Sequence, residues 1–169
     1  MKNVILTGFM GTGKSTVGQI LAQRLGFRYA DLDALIVERA GLPINDIFAR
    51  YGEPHFRALE TETIRDVISH EGVVVSTGGG AVISAVNREL LHAAGAMINL
   101  YATVEEVCDR LRDDCERPLL KEGRSRERVS AMMAEREPFY ADADLRIDTT
   151  GKTVEDVVAE IVKFLGMKG

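Results

Sequence analysis

The sequence predicts an α/β fold, a parallel β-sheet with helices on both faces, built around a phosphate-binding loop. Three observations carry that prediction. Short β-branched and apolar runs alternate with helical patterns along the chain. The run Gly8-Phe9-Met10-Gly11-Thr12-Gly13-Lys14-Ser15 fits G-x-x-x-x-G-K-[ST] and sits between a strand pattern and a helix pattern. Finally, 169 residues are enough for one compact domain with a sizeable core.

Each element has a local reason. Val4, Ile5 and Leu6 read as a buried first strand, and Val17, Ile20, Leu21 and Leu25 recur at helical spacing until Gly26. A second strand covers Phe27 to Ala30 and ends at Asp31. From Asp33 to Ser69 two or three helices are expected, broken at Gly41-Leu42-Pro43 and at Gly52. That is more than one crossover needs, so 33–69 reads as an inserted substrate-binding subdomain. The third strand is Val73 to Ser76, followed at once by Gly78-Gly79-Gly80, and the fourth is Ala96 to Tyr101. Thr103 and Glu106 make a capping box for the next helix. Arg112 to Ser125 is charge-rich without apolar period and reads as a mobile flap, since loops of this length in compact domains are usually functional or disordered. Leu145 to Asp148 is the fifth strand. Val154, Val157, Val158, Ile161, Val162 and Leu165 share one face of the last helix, capped by Thr153 and Asp156.

Composition narrows the function classes. A net charge of −5 argues against nucleic-acid binding through bulk charge. The chain has 2 cysteines, Cys108 and Cys115, too few for a disulfide framework, and no ligand spacing suggests zinc. Reduced thiols in a cytoplasmic protein are expected. There is no signal-peptide pattern and no apolar run of membrane-spanning length, so no membrane partner is expected. No surplus apolar helix face is evident, so a monomer is the default.

The chemistry-bearing residues sit where strands end. Glycines admit φ > 0 and let successive N–H groups converge on phosphate, while a helix N-terminus adds partial positive charge. Gly11, Thr12, Gly13, Lys14, Ser15 and Thr16 would thus hold a nucleoside triphosphate, with Lys14 on the β- and γ-phosphates and the Ser15 hydroxyl on Mg²⁺. In open parallel sheets ligands lie beyond the carboxyl ends of the strands. Asp31 and Asp33 after strand two, and Ser76 with the triple glycine after strand three, therefore face the same crevice. Asp31 suits a magnesium shell and Asp33 an acceptor hydroxyl, although a turn or an N-cap would use the same residue type. Arg57, Arg117 and Arg136 lie outside the strands, with Glu60 one helical turn from Arg57 and able to position it. Guanidinium groups match carboxylate and phosphate geometry. Two competing readings are another small-molecule or nucleotide kinase and a GTPase-like switch. For the second, Asp148-Thr149-Thr150-Gly151 matches D-x-x-G, but no N-K-x-D occurs and the match reads as a strand-end turn.

Taken together, these motifs make the chain resemble the shikimate kinases, collinearly and over nearly its whole length. The resemblance rests on the phosphate loop, Asp31-x-Asp33, Asp46-Ile47-Phe48 and Gly52-Glu53-x-x-Phe56-Arg57-x-x-Glu60. It continues in Ser76-x-Gly78-Gly79-Gly80, Arg117-Pro118-Leu119-Leu120 and Arg136-x-Pro138-x-Tyr140. It implies a P-loop kinase fold of five parallel strands with a closing lid, and phosphorylation of the shikimate 3-hydroxyl with ATP and Mg²⁺ on the way to chorismate and the aromatic amino acids. By matching position, Arg57 and Arg136 would clamp the shikimate carboxylate. Asp33 would bind ring hydroxyls and face the reacting oxygen. Gly78, Gly79 and Gly80 would admit the ring closely, and Phe48, Phe56 and Leu119 would give it apolar contact. Ser15 and Asp31 would hold Mg²⁺, Asp31 through water, with Ser76 beyond them. Lys14 and Arg117 would stabilise the transferring phosphoryl, and Arg110 would lie against adenine. Thr149-Thr150-Gly151-Lys152 carries no strong adenine signature.

Overall fold

A computed structural model describes residues 3–112 and 126–168. Five strands form one fully parallel sheet: β1 (Asn3–Thr7), β2 (Arg28–Asp31), β3 (Val73–Ser76), β4 (Gly95–Tyr101) and β5 (Leu145–Asp148), in the order β2-β3-β1-β4-β5. The described helices are α1 (Lys14–Leu25), α2 (Leu32–Ala40), α3 (Ile44–Tyr51), α4 (Glu53–Val67), α5 (Ala85–Ala94), α6 (Val104–Arg112), α7 (Arg126–Tyr140) and α8 (Val154–Lys168), with a 3₁₀ turn at Ala81–Ile83. The chain builds β2 and β3 on one side of β1, then crosses to build β4 and β5 on the other. The loop after β1 therefore stands where the winding reverses, the place where such sheets bind ligands.

Alternating side chains bury both faces. Val4, Leu6, Val74, Ile98, Leu100 and Ile147 meet Val17 and Leu21 of α1 and Val157, Val158, Ile161 and Leu165 of α8. Ile5, Val73, Val75 and Met97 point the other way, to Ile64, Leu91, Val107, Leu111, Val129 and Tyr140. Met132 and Met133 pack against this second core. The expected insertion resolves into three helices around their own small cluster of Ile36, Ile47 and Phe56.

Two strands differ from expectation at their starts. β2 begins at Arg28, because Phe27 is spent on the end of α1: its N–H bonds Ala22 O at 2.8 Å, while Gly26, at φ 72°, bonds Gln23 O at 3.3 Å. That is the double closure typical of a left-handed helix cap. β4 reaches back to Gly95, which pairs with Asn3. The capping box of α8 forms in both directions, Thr153 N to Asp156 Oδ2 at 3.2 Å and Asp156 N to Thr153 Oγ1 at 3.1 Å. At α6 Glu106 N bonds Thr103 Oγ1, whereas the Glu106 carboxylate turns to Arg110.

Candidate active site

The loop between β1 and α1 holds Gly8, Gly11 and Gly13 at φ 143°, 79° and 87°, conformations that glycine adopts without strain. Thr12 is buried and ties the loop by donating to Phe9 O at 2.8 Å. The Lys14 ammonium lies over the loop, donating to Gly8 O at 2.6 Å and Phe9 O at 3.0 Å. The register sets Asp31 beside Ser76 and Ser76 beside Leu6. The carboxyl ends of β2 and β3 thus open onto the loop. Asp31 is the N-cap that its residue type allows, and it also meets Ser15. Its Oδ1 accepts from Ala34 N at 3.2 Å as the N-cap of α2, and its Oδ2 accepts from Ser15 Oγ at 3.5 Å. A cavity of about 230 Å³ is lined by Gly11, Gly13, Lys14, Ser15 and Thr16 on one side and by Asp31, Asp33, Ser76, Gly78 and Gly79 on the other.

The triple glycine is the meeting point of the acceptor side. A Cβ on Gly78 would stand 2.7 Å from Asp33 Oδ1, one on Gly79 3.2 Å from Arg136 Nη1, and one on Gly80 2.7 Å from Arg57 Nη2. Each glycine therefore faces one of the three side chains, which come from α2, α7 and α4. Arg57 donates through Nη1 to both Glu60 oxygens at 2.9 and 3.2 Å. Glu60 is only 1% exposed, and burial raises its pKa against the lowering effect of the Arg57 charge. Asn87 holds the same carboxylate, donating at 3.5 Å to Glu60 Oε1 and at 2.9 Å to Ala81 O while accepting from Thr61 Oγ1 at 2.7 Å. Phe56 is buried and its ring lies 4.7 Å from that of Phe48. Arg136 lies over the Phe9 ring at 5.6 Å.

Arg110 is placed on the other flank of the loop. It donates to Gly11 O at 3.0 Å, Thr149 Oγ1 at 3.2 Å and the Glu106 carboxylate at 3.0 Å. With Thr12, Gly13, Thr16, Thr149 and Lys152 it lines a second cleft of about 210 Å³. Asp148 closes the turn beneath that cleft by accepting from Thr150 N at 3.0 Å. The Thr150 hydrogen bonds hold its pKa below the ordinary range, so the D-x-x-G match is the turn that its position suggested. A larger groove of about 840 Å³ runs along the edge strand β2 behind Ser15 and Asp31. It contains neither Lys14 nor the triple glycine, whereas the smaller cavity holds Lys14, Gly78 and Gly79.

Sequence reasoning missed some of the residues at the site. Tyr140 donates to Gly79 O at 2.5 Å and fixes the glycine turn; it stood inside a quoted motif without a role. Asn87, Thr149 and Lys152 had no local signal. Two expected contributors, Arg117 and Leu119, lie outside the described residues, as does 113–125 of the expected flap.

Among the described residues no group of three or more His, Cys, Asp or Glu side chains can hold a metal. Ser15 beside Asp31 instead offers two oxygens at the phosphate cavity. That suits a hard cation which keeps its waters and takes its remaining ligands from phosphate.

A strand–glycine loop–helix unit whose lysine, serine and aspartate converge on one cavity, with two arginines and a second aspartate around the adjoining glycine turn, defines a P-loop phosphotransferase for a small anionic acceptor. A sequence profile described as "Shikimate kinase" matches residues 10–166. The shikimate kinase of Geobacter metallireducens is 72% identical over 165 residues, covering 98% of this chain and 92% of that protein. That of Geobacter sulfurreducens is 62% identical, covering 97% and 91%. The solved structure of the Acinetobacter baumannii shikimate kinase in complex with shikimate superposes with a TM-score of 0.93 at 34% identity, covering 99% of this chain and 94% of that one. The chain belongs to the shikimate kinase family.

Proposed function

We propose that this chain transfers the γ-phosphoryl group of ATP to the 3-hydroxyl of shikimate, with the acceptor seated on Gly78–Gly80 between Asp33, Arg57 and Arg136. The observation that carries the reading is the one-to-one approach of those three side chains to the three glycines. A ring lying on that turn meets two guanidinium groups for its carboxylate and one carboxylate for its hydroxyls. The nucleotide phosphates lie along Gly11–Thr16, and Arg110 with Thr149 borders the base. Glu60 and Asn87 hold Arg57 in place before the acceptor arrives.

In the transfer, the acceptor oxygen forms a bond to the γ-phosphorus as the bond to the β–γ bridging oxygen breaks, and ADP leaves. The hydroxyl proton is lost late in a loose transition state, so Asp33 mainly orients the oxygen. Lys14 exchanges its loop carbonyl partners for phosphate oxygens and stabilises their charge. Ser15 and Asp31 would hold Mg²⁺, which neutralises charge on the β- and γ-phosphates when bound. The resemblance adds Arg117 to that neutralisation.

ADP production with shikimate, gluconate, AMP or water as acceptor tests the assignment. We expect turnover with shikimate far above the other three. Stimulation by gluconate or AMP, with none by shikimate, would overturn it.

A further inference from the structure

One arginine outside the phosphate cavity ties two walls of the acceptor side together. Arg88 lies in the first turn of α5 and is half-buried. Its Nη1 donates to Val82 O at 2.7 Å and to Ile83 O at 3.1 Å. Its Nε meets Asp142 Oδ2 at 3.2 Å, just past the end of α7, and its guanidinium carbon lies 5.2 Å from the centre of the Phe139 ring. The other Asp142 oxygen is met by His92 Nε2 at 2.8 Å. A guanidinium is a planar fork of fixed geometry, so its partners on both sides are held in one arrangement.

Both sets of partners lead directly to acceptor residues. The 3₁₀ turn with Val82 and Ile83 is bonded back onto the glycine turn, Ala81 N to Gly78 O and Ile83 N to Gly80 O, each at 3.2 Å. On the other side, Asp142 N bonds Phe139 O at 3.3 Å, and Phe139 lies in the same stretch of α7 as Arg136 and Tyr140. Tyr140 donates to Gly79 O and lies within hydrogen-bond reach of Arg136. Arg57 has its own support in Glu60 and Asn87. Arg88 instead joins the glycine turn to the helix that carries Arg136.

We infer that Arg88 is a positioning residue for the acceptor: by clamping the 3₁₀ turn to the end of α7, it fixes the distance between the glycine turn and the Arg136 guanidinium. This rests on the reading of Arg136 as one jaw of a carboxylate clamp, and the controls separate the two. With Arg88 in place, a carboxylate on the ring finds Arg136 already at the turn. Without it, the turn and α7 each keep their backbone bonds but are free to part, and binding must first bring them back together.

The test is initial-rate kinetics with shikimate and with its carboxamide, for the wild type, Arg88→Met, Asp142→Ala, Arg136→Ala and the double variant Arg88→Met/Arg136→Ala. Methionine keeps the apolar stem of the side chain without its donors. Arg88→Met should raise the shikimate KM about threefold to tenfold, the weight of one net hydrogen bond. It should leave kcat and the ATP KM within about twofold of wild type, the pattern of lost uniform binding. Asp142→Ala breaks the tie from its exposed end and should move the shikimate KM the same way, which keeps the inference falsifiable if Arg88→Met does not fold. Neither variant should change the carboxamide KM by more than about twofold, and Arg88→Met should add nothing in the Arg136→Ala background. An unchanged shikimate KM in Arg88→Met or Asp142→Ala, equal rises for acid and amide, or additive losses in the double variant would overturn the role of Arg88. A fall in kcat at unchanged KM would overturn it as well, by leaving Arg88 a tie that serves folding alone. Equal losses for acid and amide in Arg136→Ala would overturn the clamp itself, and the role of Arg88 with it.

Discussion

Arg57 arrives at its site already paired. Glu60 holds Nη1, Asn87 braces the Glu60 carboxylate while donating to Ala81 O, and Gly80 brings the backbone against Nη2. Under the proposed clamp, an acceptor carboxylate would meet a fixed guanidinium rather than a solvated one, and little side-chain entropy would be lost on binding. A bidentate pair of this kind, partly desolvated, contributes on the order of 2–5 kcal/mol. Arg57→Ala or Arg136→Ala should accordingly raise the shikimate KM by well over tenfold and leave the ATP KM nearly unchanged. The carboxamide of shikimate should be a poor substrate of the wild type and lose much less in the variants; equal losses for acid and amide would contradict the clamp. Glu60 adds a pH signature. Burial raises its folded pKa above the ordinary 4.5, so the folded chain holds that proton more tightly than the unfolded chain does. Its contribution to stability is present in full below the ordinary carboxylate range and is lost as pH rises through the raised value. Glu60→Gln should remove that pH-dependent loss, seen as a urea midpoint that gains on wild type as pH increases. Below the raised pKa the neutral carboxyl no longer anchors Arg57, so the wild-type shikimate KM should climb on the acid side. That limb should be missing in Glu60→Gln.

At the scale of elements, α1 reconciles two demands. Its N-terminus presents the phosphate loop, and its body lies on β1, β2 and β3. Glycine inside a helix normally costs about 0.5–1 kcal/mol relative to alanine. Gly18 is the exception, because a methyl there would meet Tyr29 at 2.5 Å and Leu6 Cδ1 at 3.3 Å. Gly18→Ala should therefore destabilise the chain by about 1–3 kcal/mol, the range for overpacked cores. Gly166→Ala in α8, where a Cβ meets nothing within 4 Å, should stabilise it by about 0.5–1 kcal/mol. Differential scanning calorimetry of the two variants checks the opposite signs. The elements themselves were largely legible. β3 and β5 have the bounds that their β-branched and apolar runs suggest, and the breaks at Gly41 and Gly52 separate the helices of the insertion. The errors fell at ends. Phe27 looks like a strand residue, yet its N–H completes a helix cap. Glu106 looks like the second half of a capping box, yet a nearby arginine takes its carboxylate. Both outcomes depend on competition between partners, which a local pattern does not record.

For the molecule as a whole, the winding order divides the labour. In the proposed reading the nucleotide side comes from the β1 loop, α6 and the turn after β5, the acceptor side from α2, α4, α7 and the glycine turn. The two sides share the phosphate cavity. Arg110→Ala should therefore raise the ATP KM severalfold and leave the shikimate KM nearly unchanged, the mirror image of Arg57→Ala; initial rates with each substrate varied in turn will show it. The glycine loop and the residues at strand ends were readable because their chemistry is local. The ties that lock the site were not. Tyr140 reaches Gly79 across 61 positions, Arg110 reaches Thr149 across 39, and Arg110 reaches Gly11 across 99. Only the folded sheet brings them together. That the two halves of the site open into a single cavity of about 230 Å³ also has a consequence for chemists. A synthetic molecule that tethers a carboxylate-bearing ring to a phosphate chain can engage both halves at once. Its second half binds at an effective local concentration set by the tether, so its affinity should exceed that of either separate fragment by roughly 10²–10⁴. Tether length alone, scanned atom by atom, would then measure the span between the acceptor hydroxyl and the phosphate loop in solution.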